Sequence, residues 1–172
     1  RLQLPPTRDS KEKSPVQFES RGYRIPGNPA TPAVSNVCYA RLSAPHEHVI
    51  VACDMRTGVV LLLDLNANEP HLEVIAQVPH PDHATPVDLD QDGYMDLVVA
   101  DLGSYLPEDH TNAQVVWLRR EPGNATYTPF VLLDGVGRVA DVQAADFDAD
   151  GDLDLIVAVF GWRKVGEVIY LE

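Results

Sequence analysis

The sequence predicts an all-β protein built as a β-propeller segment of about three four-stranded blades, and three observations point there. From residue 35 onward the chain is a series of aliphatic and β-branched runs, four to eight residues long and bounded by Gly, Pro, Asn and Asp. No stretch sustains a helical period. And one sixteen-residue stretch occurs twice, as DLDQDGYMDLVVADLG at 88–103 and DFDADGDLDLIVAVFG at 146–161, with nine positions identical. Unrelated stretches of that length share about one, so this is an internal repeat, the signature of a fold made of stacked units.

The elements follow in order. Residues 1–34 hold six of the fourteen prolines and little periodic apolar character, which predicts a linker or extended lead-in, with QFESRGYRI the one segment there that could pair as a strand. Residues 35–172 are the propeller segment. Its first blade, about 35–80, takes SNVCYARL, HVIVACD, GVVLLLDL and LEVIAQV as strands. The second, about 81–134, takes TPVDLD, DLVVADL, AQVVWLRR and TPFVLLD. The third, about 135–172, has three runs only, VADVQAADF, DLIVAVF and GEVIYLE. Closed propellers carry four to eight blades. Two and three-quarter blades do not close a ring, and a bare sheet edge invites pairing, so further blades are expected, from the same protein or from another chain.

Composition narrows the partners. A formal net charge of -13 argues against nucleic acid and anionic membrane surfaces, both of which need basic patches. No apolar run approaches the roughly 20 residues of a membrane helix, so membrane insertion is not expected. Nine of the 26 acidic residues lie within 88–96 and 146–154, so part of the acidity belongs to the repeat itself.

Those nine residues pose a chemical problem. Asp88, Asp90, Asp92 and Asp96 in one copy, and Asp146, Asp148, Asp150, Asp152 and Asp154 in the other, crowd carboxylates against an apolar strand. Unpaired like charges at that density raise each other's pKa and oppose compaction. A hard cation resolves the conflict, because carboxylate oxygens from alternate positions of a short loop, with a glycine (Gly93, Gly151) at the bend, are what calcium takes as ligands. An EF-hand starts the same way but needs a bidentate Glu at its twelfth position and flanking helices. Here those positions are Val99 and Val157, both inside strand-like runs.

The pattern D-x-D-x-D-G-x-x-D, followed by a hydrophobic strand and a glycine, resembles the FG-GAP or VCBS repeat of integrin α-subunit propellers and many secreted bacterial proteins. Phe160-Gly161 matches its "FG", and Leu102-Gly103 stands in the first copy. The resemblance implies that each loop joins the first and second strands of a blade and binds calcium, two ions in all. It implies as ligands the side chains of Asp88, Asp90, Asp92 and Asp96 with the carbonyl of Tyr94, and those of Asp146, Asp148, Asp150 and Asp154 with the carbonyl of Asp152. It also implies a secreted, periplasmic or cell-surface protein. Setting HVIVACD under DLVVADL puts Ala40, Leu42 and Ala44 where the leading aspartates would be, so the first blade is expected to hold no ion.

Cys38 and Cys53 are the two cysteines, one on each of two consecutive strands. A hairpin centred between Pro45 and His46 would make them direct cross-strand partners within disulfide reach. The alternative is two small buried hydrophobes.

Because antiparallel strands alternate in direction, the acidic loops occupy one face of the blades, and the connections between blades and between second and third strands occupy the other. That second face gathers His80, His83, Tyr105, Asp109, His110, Arg138, Trp162 and Arg163, a mixture suited to a polar ligand or a transition metal. Asn124-Ala125-Thr126 fits a glycosylation sequon. No nucleophile elbow, phosphate loop, haem-attachment motif or HExxH is present. The expected function is a calcium-stabilised scaffold or binding module for a protein or carbohydrate ligand. The alternative is the propeller domain of an enzyme, of lyase or dehydrogenase type, with its site on the histidine-bearing face.

Overall fold

The structure is a computed structural model that describes residues 18–27, 31–42, 48–123, 126–164 and 166–172. Eleven strands succeed one another: β1 (Val34–Ala40), β2 (Val49–Asp54), β3 (Val59–Leu63), β4 (Leu72–Gln77), β5 (Pro81–Val87), β6 (Asp96–Asp101), β7 (Ala113–Arg120), β8 (Tyr127–Val136), β9 (Arg138–Ala145), β10 (Asp154–Phe160) and β11 (Glu167–Leu171). They form three antiparallel meanders, β1-β2-β3-β4, β5-β6-β7-β8 and β9-β10-β11, which are the four, four and three strands predicted for the blades. Residues 18–25 form no strand, and the rest of the lead-in before residue 18 lies outside the described residues, as does most of the sequon, at 124 and 125.

The continuous apolar runs are strands covered on both faces. In β6 all six residues are buried, and alternate side chains enter different cores, as the two-residue period of a strand requires. Leu97 and Val99 pack with Val51, Val60 and Leu62 of the first blade. Val98 and Ala100 pack with Val139, Val142, Leu155 and Val157 of the third. Fully burying each such Val or Leu contributes about 1.5–3 kcal/mol, so the two interblade cores are the main source of cohesion.

The first strands of the blades, β1, β5 and β9, meet side by side. Ser35 donates its hydroxyl to the carbonyls of Pro81 (3.1 Å) and Asp82 (3.0 Å), the Cys38 thiol donates to Ala84 O (3.2 Å), and Thr85 Oγ1 donates to Val142 O (2.6 Å). Each of the three strands also carries a bulge at the same place. Register slips between Val34 and Asn36, between Pro81 and His83, and opposite Ala158/Val159 leave Ser35, Asp82 and Ala140 as the extra residues. A bulge bends its strand and re-aims a side chain, and here it turns Ser35 toward the neighbouring blade.

Two expectations need correction. The first concerns how the first blade superposes on the second. Asp54 Oδ1 accepts the N–H groups of Ala33 (2.9 Å) and Arg56 (3.0 Å), while Asp101 Oδ1 accepts those of His80 (3.1 Å) and Gly103 (2.8 Å). Met55 N bonds Ala33 O just as Leu102 N bonds His80 O. The offset between the blades is therefore 47, one less than setting HVIVACD under DLVVADL assumes, and Asp88 corresponds to Arg41 rather than Ala40. Asp90 and Asp92 then correspond to Ser43 and Pro45, and those two, like Ala44, fall outside the described residues. None of the new counterparts is a carboxylate.

The second correction concerns the cysteines. Cys38 faces Val51, and Cys53 faces Asn36, so the two are not cross-strand partners. The register is displaced by two residues from a hairpin centred at Pro45–His46, a turn that lies outside the described residues. Both cysteines are free thiols. Burial raises the pKa of each, and for Cys53 the nearby Cys38 and Asp82 raise it further. They behave as the small hydrophobes of the alternative reading.

Candidate metal centres and the opposite face

The two acidic loops connect first to second strands, β5 to β6 and β9 to β10. Their backbones are copies. Among the described residues, Gln91 (φ 57°) and Ala149 (φ 68°) are the two non-glycine residues with positive φ, and Gly93 (φ 89°) and Gly151 (φ 104°) follow two residues later in each. These left-handed turns point successive N–H groups inward. Asp88 Oδ2 accepts from Gly93 N (3.0 Å) as Asp146 Oδ2 does from Gly151 N (3.2 Å). Asp90 accepts from Asp92 N (3.3 Å) as Asp148 does from Asp150 N (3.1 Å). Asp92 and Asp150 accept from the N–H groups of Tyr94 (2.9 Å) and Asp152 (3.1 Å). At the strand entrance, Asp96 and Asp154 accept from Leu89 N (3.2 Å) and Phe147 N (2.9 Å).

What remains is a set of carboxylate oxygens facing one another. One oxygen each from Asp88, Asp90 and Asp96 lies within 4.8 Å of the others, and so do oxygens of Asp146, Asp148 and Asp154. Asp92 stands outside the first set, and Asp150 joins a further set with Asp148 and Glu172. Of the residues predicted as carbonyl ligands, Tyr94 and Asp152 occupy the turn next to these sets. Asp88 Oδ1 and Asp154 Oδ1 are buried and have no hydrogen-bond partner among the described residues. An all-oxygen donor set with orphaned buried carboxylate oxygens fits a hard cation such as calcium and suits no soft metal. The crowding is also visible in the acids themselves. Burial first, with the charges of its neighbours, raises Asp148; the backbone N–H of Asp152, followed by its side chain, lowers Asp150, and the same side-chain contact raises Asp152. Burial raises Asp96, opposed by the N–H donors of Arg120, Trp117 and Leu89.

On the opposite face the predicted residues are engaged in separate contacts. Arg138, 8% exposed, donates to Ser104 Oγ (3.0 Å) and Leu106 O (2.6 Å), and the His110 ring bonds the same Ser104 hydroxyl at 2.9 Å. His83 pairs with Asp141, and the His80 ring bonds Met55 O at 2.9 Å. Tyr105 receives Arg56 both as a hydrogen bond (2.5 Å) and over its ring (4.6 Å). Asp109 accepts from the N–H groups of Arg163 (2.8 Å) and Lys164 (3.2 Å), and Trp162 packs edge-on against Phe160. Among the described residues the metal-competent groups are all acidic and are made by the acidic loops, the strand starts at Asp96 and Asp154, and Glu172 after β11, with no histidine in any. The structure thus joins His110 to Arg138 through Ser104 and Asp109 to Arg163, and does not gather the eight into one site.

Sequence reasoning missed Asp54 and Asp101, the buried carboxylates that cap the turns after β2 and β6, as well as Arg119 and Glu172, which border the acidic loops. The recurrence of an aspartate at the end of two aligned apolar runs (VACD, VVAD) was the available signal for the first pair.

Beside His83, Asp82 is the bulge residue of β5. Burial raises its carboxyl above the usual range, and the Ser35 hydroxyl with the charges of His83 and Arg138 pulls it part of the way back. A carboxyl whose folded pKa exceeds its unfolded value of about 3.9 binds more protons in the folded state, so its ionisation reduces stability as pH rises through that window. Asp82→Asn is therefore expected to be more stable than the parent chain at pH 7, with the margin vanishing below about pH 4. Urea unfolding at the two pH values measures it, and an unchanged margin at both would show that ionisation is not the cause.

No curated protein and no solved structure matches the chain. Residues 88–157, from the first acidic loop into β10, match the family model of the FG-GAP-like repeat, a repeat that forms β-propeller blades.

Proposed function

We propose that this chain is a propeller-type binding module of a secreted or cell-surface protein, in which each acidic loop holds a calcium ion that stabilises its blade, while the loops of the blades present a surface to a protein or carbohydrate ligand. The observation that carries it is the duplication of a single loop geometry, down to the positive-φ positions and the inward N–H groups, around converging carboxylates. Repetition of a costly arrangement in two blades supports a shared ligand rather than two accidental acidic turns. Asp88, Asp90 and Asp96 would hold one ion, and Asp146, Asp148 and Asp154 the other, each helped by the neighbouring aspartate and carbonyl. Calcium would neutralise the charge where β6 and β10 enter the core and fix their starting register. The chain's own part is to converge the oxygens and to bury the strands behind them. Calorimetric titration of chelator-treated protein with calcium is expected to show about two sites per chain. Folded protein that binds no calcium would overturn this reading.

A further inference from the structure

The two acidic loops are copies in backbone but not in what borders them. Leu97 of β6 pairs with Leu118 of β7, and the corresponding Leu155 of β10 pairs with Leu171 of β11. The next residue along each bordering strand is therefore in the same place, and it is Arg119 in one blade and Glu172 in the other. Arg119 Nε donates to Asp90 Oδ2 at 2.6 Å, and its guanidinium reaches Asp92 Oδ2 at 3.6 Å. Glu172 instead brings a further carboxylate within 4.8 Å of Asp148 and Asp150.

The charge difference is large for so local a substitution. Four aspartates and an arginine give the 88–96 loop a net charge of -3, whereas five aspartates and a glutamate give the 146–154 loop -6. Ligand charge count is a main determinant of calcium affinity in loops of this size. A guanidinium already hydrogen-bonded to one candidate ligand and ion-paired with a second also has to be displaced, or tolerated a few ångströms from a divalent ion.

Resting on the reading of these loops as calcium sites, we propose that Arg119 is a resident counter-cation of the 88–96 loop and Glu172 an additional acidic partner of the 146–154 loop, so that calcium fills the 146–154 loop first and the 88–96 loop only at higher concentration. The module then has two set points. The third blade is clamped at low calcium, and the second, whose acids Arg119 already partly neutralises, responds to a higher range.

The test is a calcium titration of the full chain by calorimetry in metal-free buffer, for the parent, Arg119→Gln and Glu172→Gln, with circular dichroism confirming that each is folded. The parent is expected to give two events separated by about tenfold or more in Kd. Arg119→Gln should tighten the weaker event alone, and Glu172→Gln should weaken the tighter event alone. Terbium in place of calcium assigns the loops. Trp117, whose indole N–H donates to Asp96 Oδ2 at 2.9 Å, should sensitise luminescence from the 88–96 loop, so emission excited through tryptophan should lag behind occupancy of the first site. Two events of equal affinity, or an Arg119→Gln variant whose weaker event does not tighten, would overturn this proposal while leaving the calcium reading in place. No binding in the folded parent would overturn both.

Discussion

Gly103→Ala is expected to cost about 3 kcal/mol or more, enough to remove a large part of the stability of a domain this size. Gly103 closes the turn after β6 with φ 71°, a conformation that costs an L-residue about 1–2 kcal/mol by itself. A Cβ there would also lie 2.6 Å from Ala113 N, 2.7 Å from Asn112 C and 2.8 Å from Ala113 Cα. These are backbone atoms, so no side-chain rotation relieves the clash. Ala113 is fully buried at the start of β7 and pairs with Val136, which prevents retreat on that side. Gly103 N is itself bonded to Asp101 Oδ1, which also holds His80 N, while Asp101 Oδ2 holds Gln114, so shifting the turn breaks a buried carboxylate's contacts to the preceding interblade connection and to β7. Gly123→Ala is the control, because Gly123 has a similar φ of 79° with nothing near its Cβ position and isolates the conformational cost alone. Urea unfolding of the two variants under the same conditions decides the matter. Equal losses would mean that the close approach to β7 contributes nothing.

The outcome at each element shows what a sequence of this kind encodes locally. The eleven strands were legible because an apolar run of four to eight residues between turn formers has few other ways to bury itself. The loop positions were legible because the acidic motif is duplicated, and duplication fixes an offset of 58 without knowledge of the fold. The first blade lacks the motif, and there the superposition erred by one residue. The cue that settles it, the matching bonds of Asp54 and Asp101, is a contact between a strand end and the preceding interblade connection. Cys38 and Cys53 were mispaired for a related reason, since register depends on the turn joining β1 to β2 and on the bulge at Ser35. Arg119 and Glu172 were invisible because they sit 29 residues after Asp90 and 24 after Asp148, and only cross-strand pairing shows that they occupy one position. Local pattern gives the parts, and the residues that distinguish one loop from the other are set by register.

On the proposed reading of the acidic loops as calcium sites, removing calcium is expected to produce the largest change of all, with aspartates within one loop differing in a way that tells ligation from charge repulsion. An ion present at a thousandfold excess over its Kd stabilises the folded state by about 4 kcal/mol per site, so chelation should lower the melting temperature sharply. Asp148 contributes an oxygen to the set with Asp146 and Asp154 and to the set with Asp150 and Glu172, whereas Asp152 is in neither. In saturating calcium, Asp148→Ala should therefore lose most of one site's stabilisation, and Asp152→Ala little. In chelator the order should collapse, because with no ion bound each substitution removes one of a group of mutually repelling carboxylates, and the pKa of both Asp148 and Asp152 is raised. The decisive measurement is the melting temperature of both variants and the parent with calcium and with chelator. Equal losses for the two variants in calcium would mean that charge density alone governs the loop, since ligation through specific oxygens requires Asp148 to matter more.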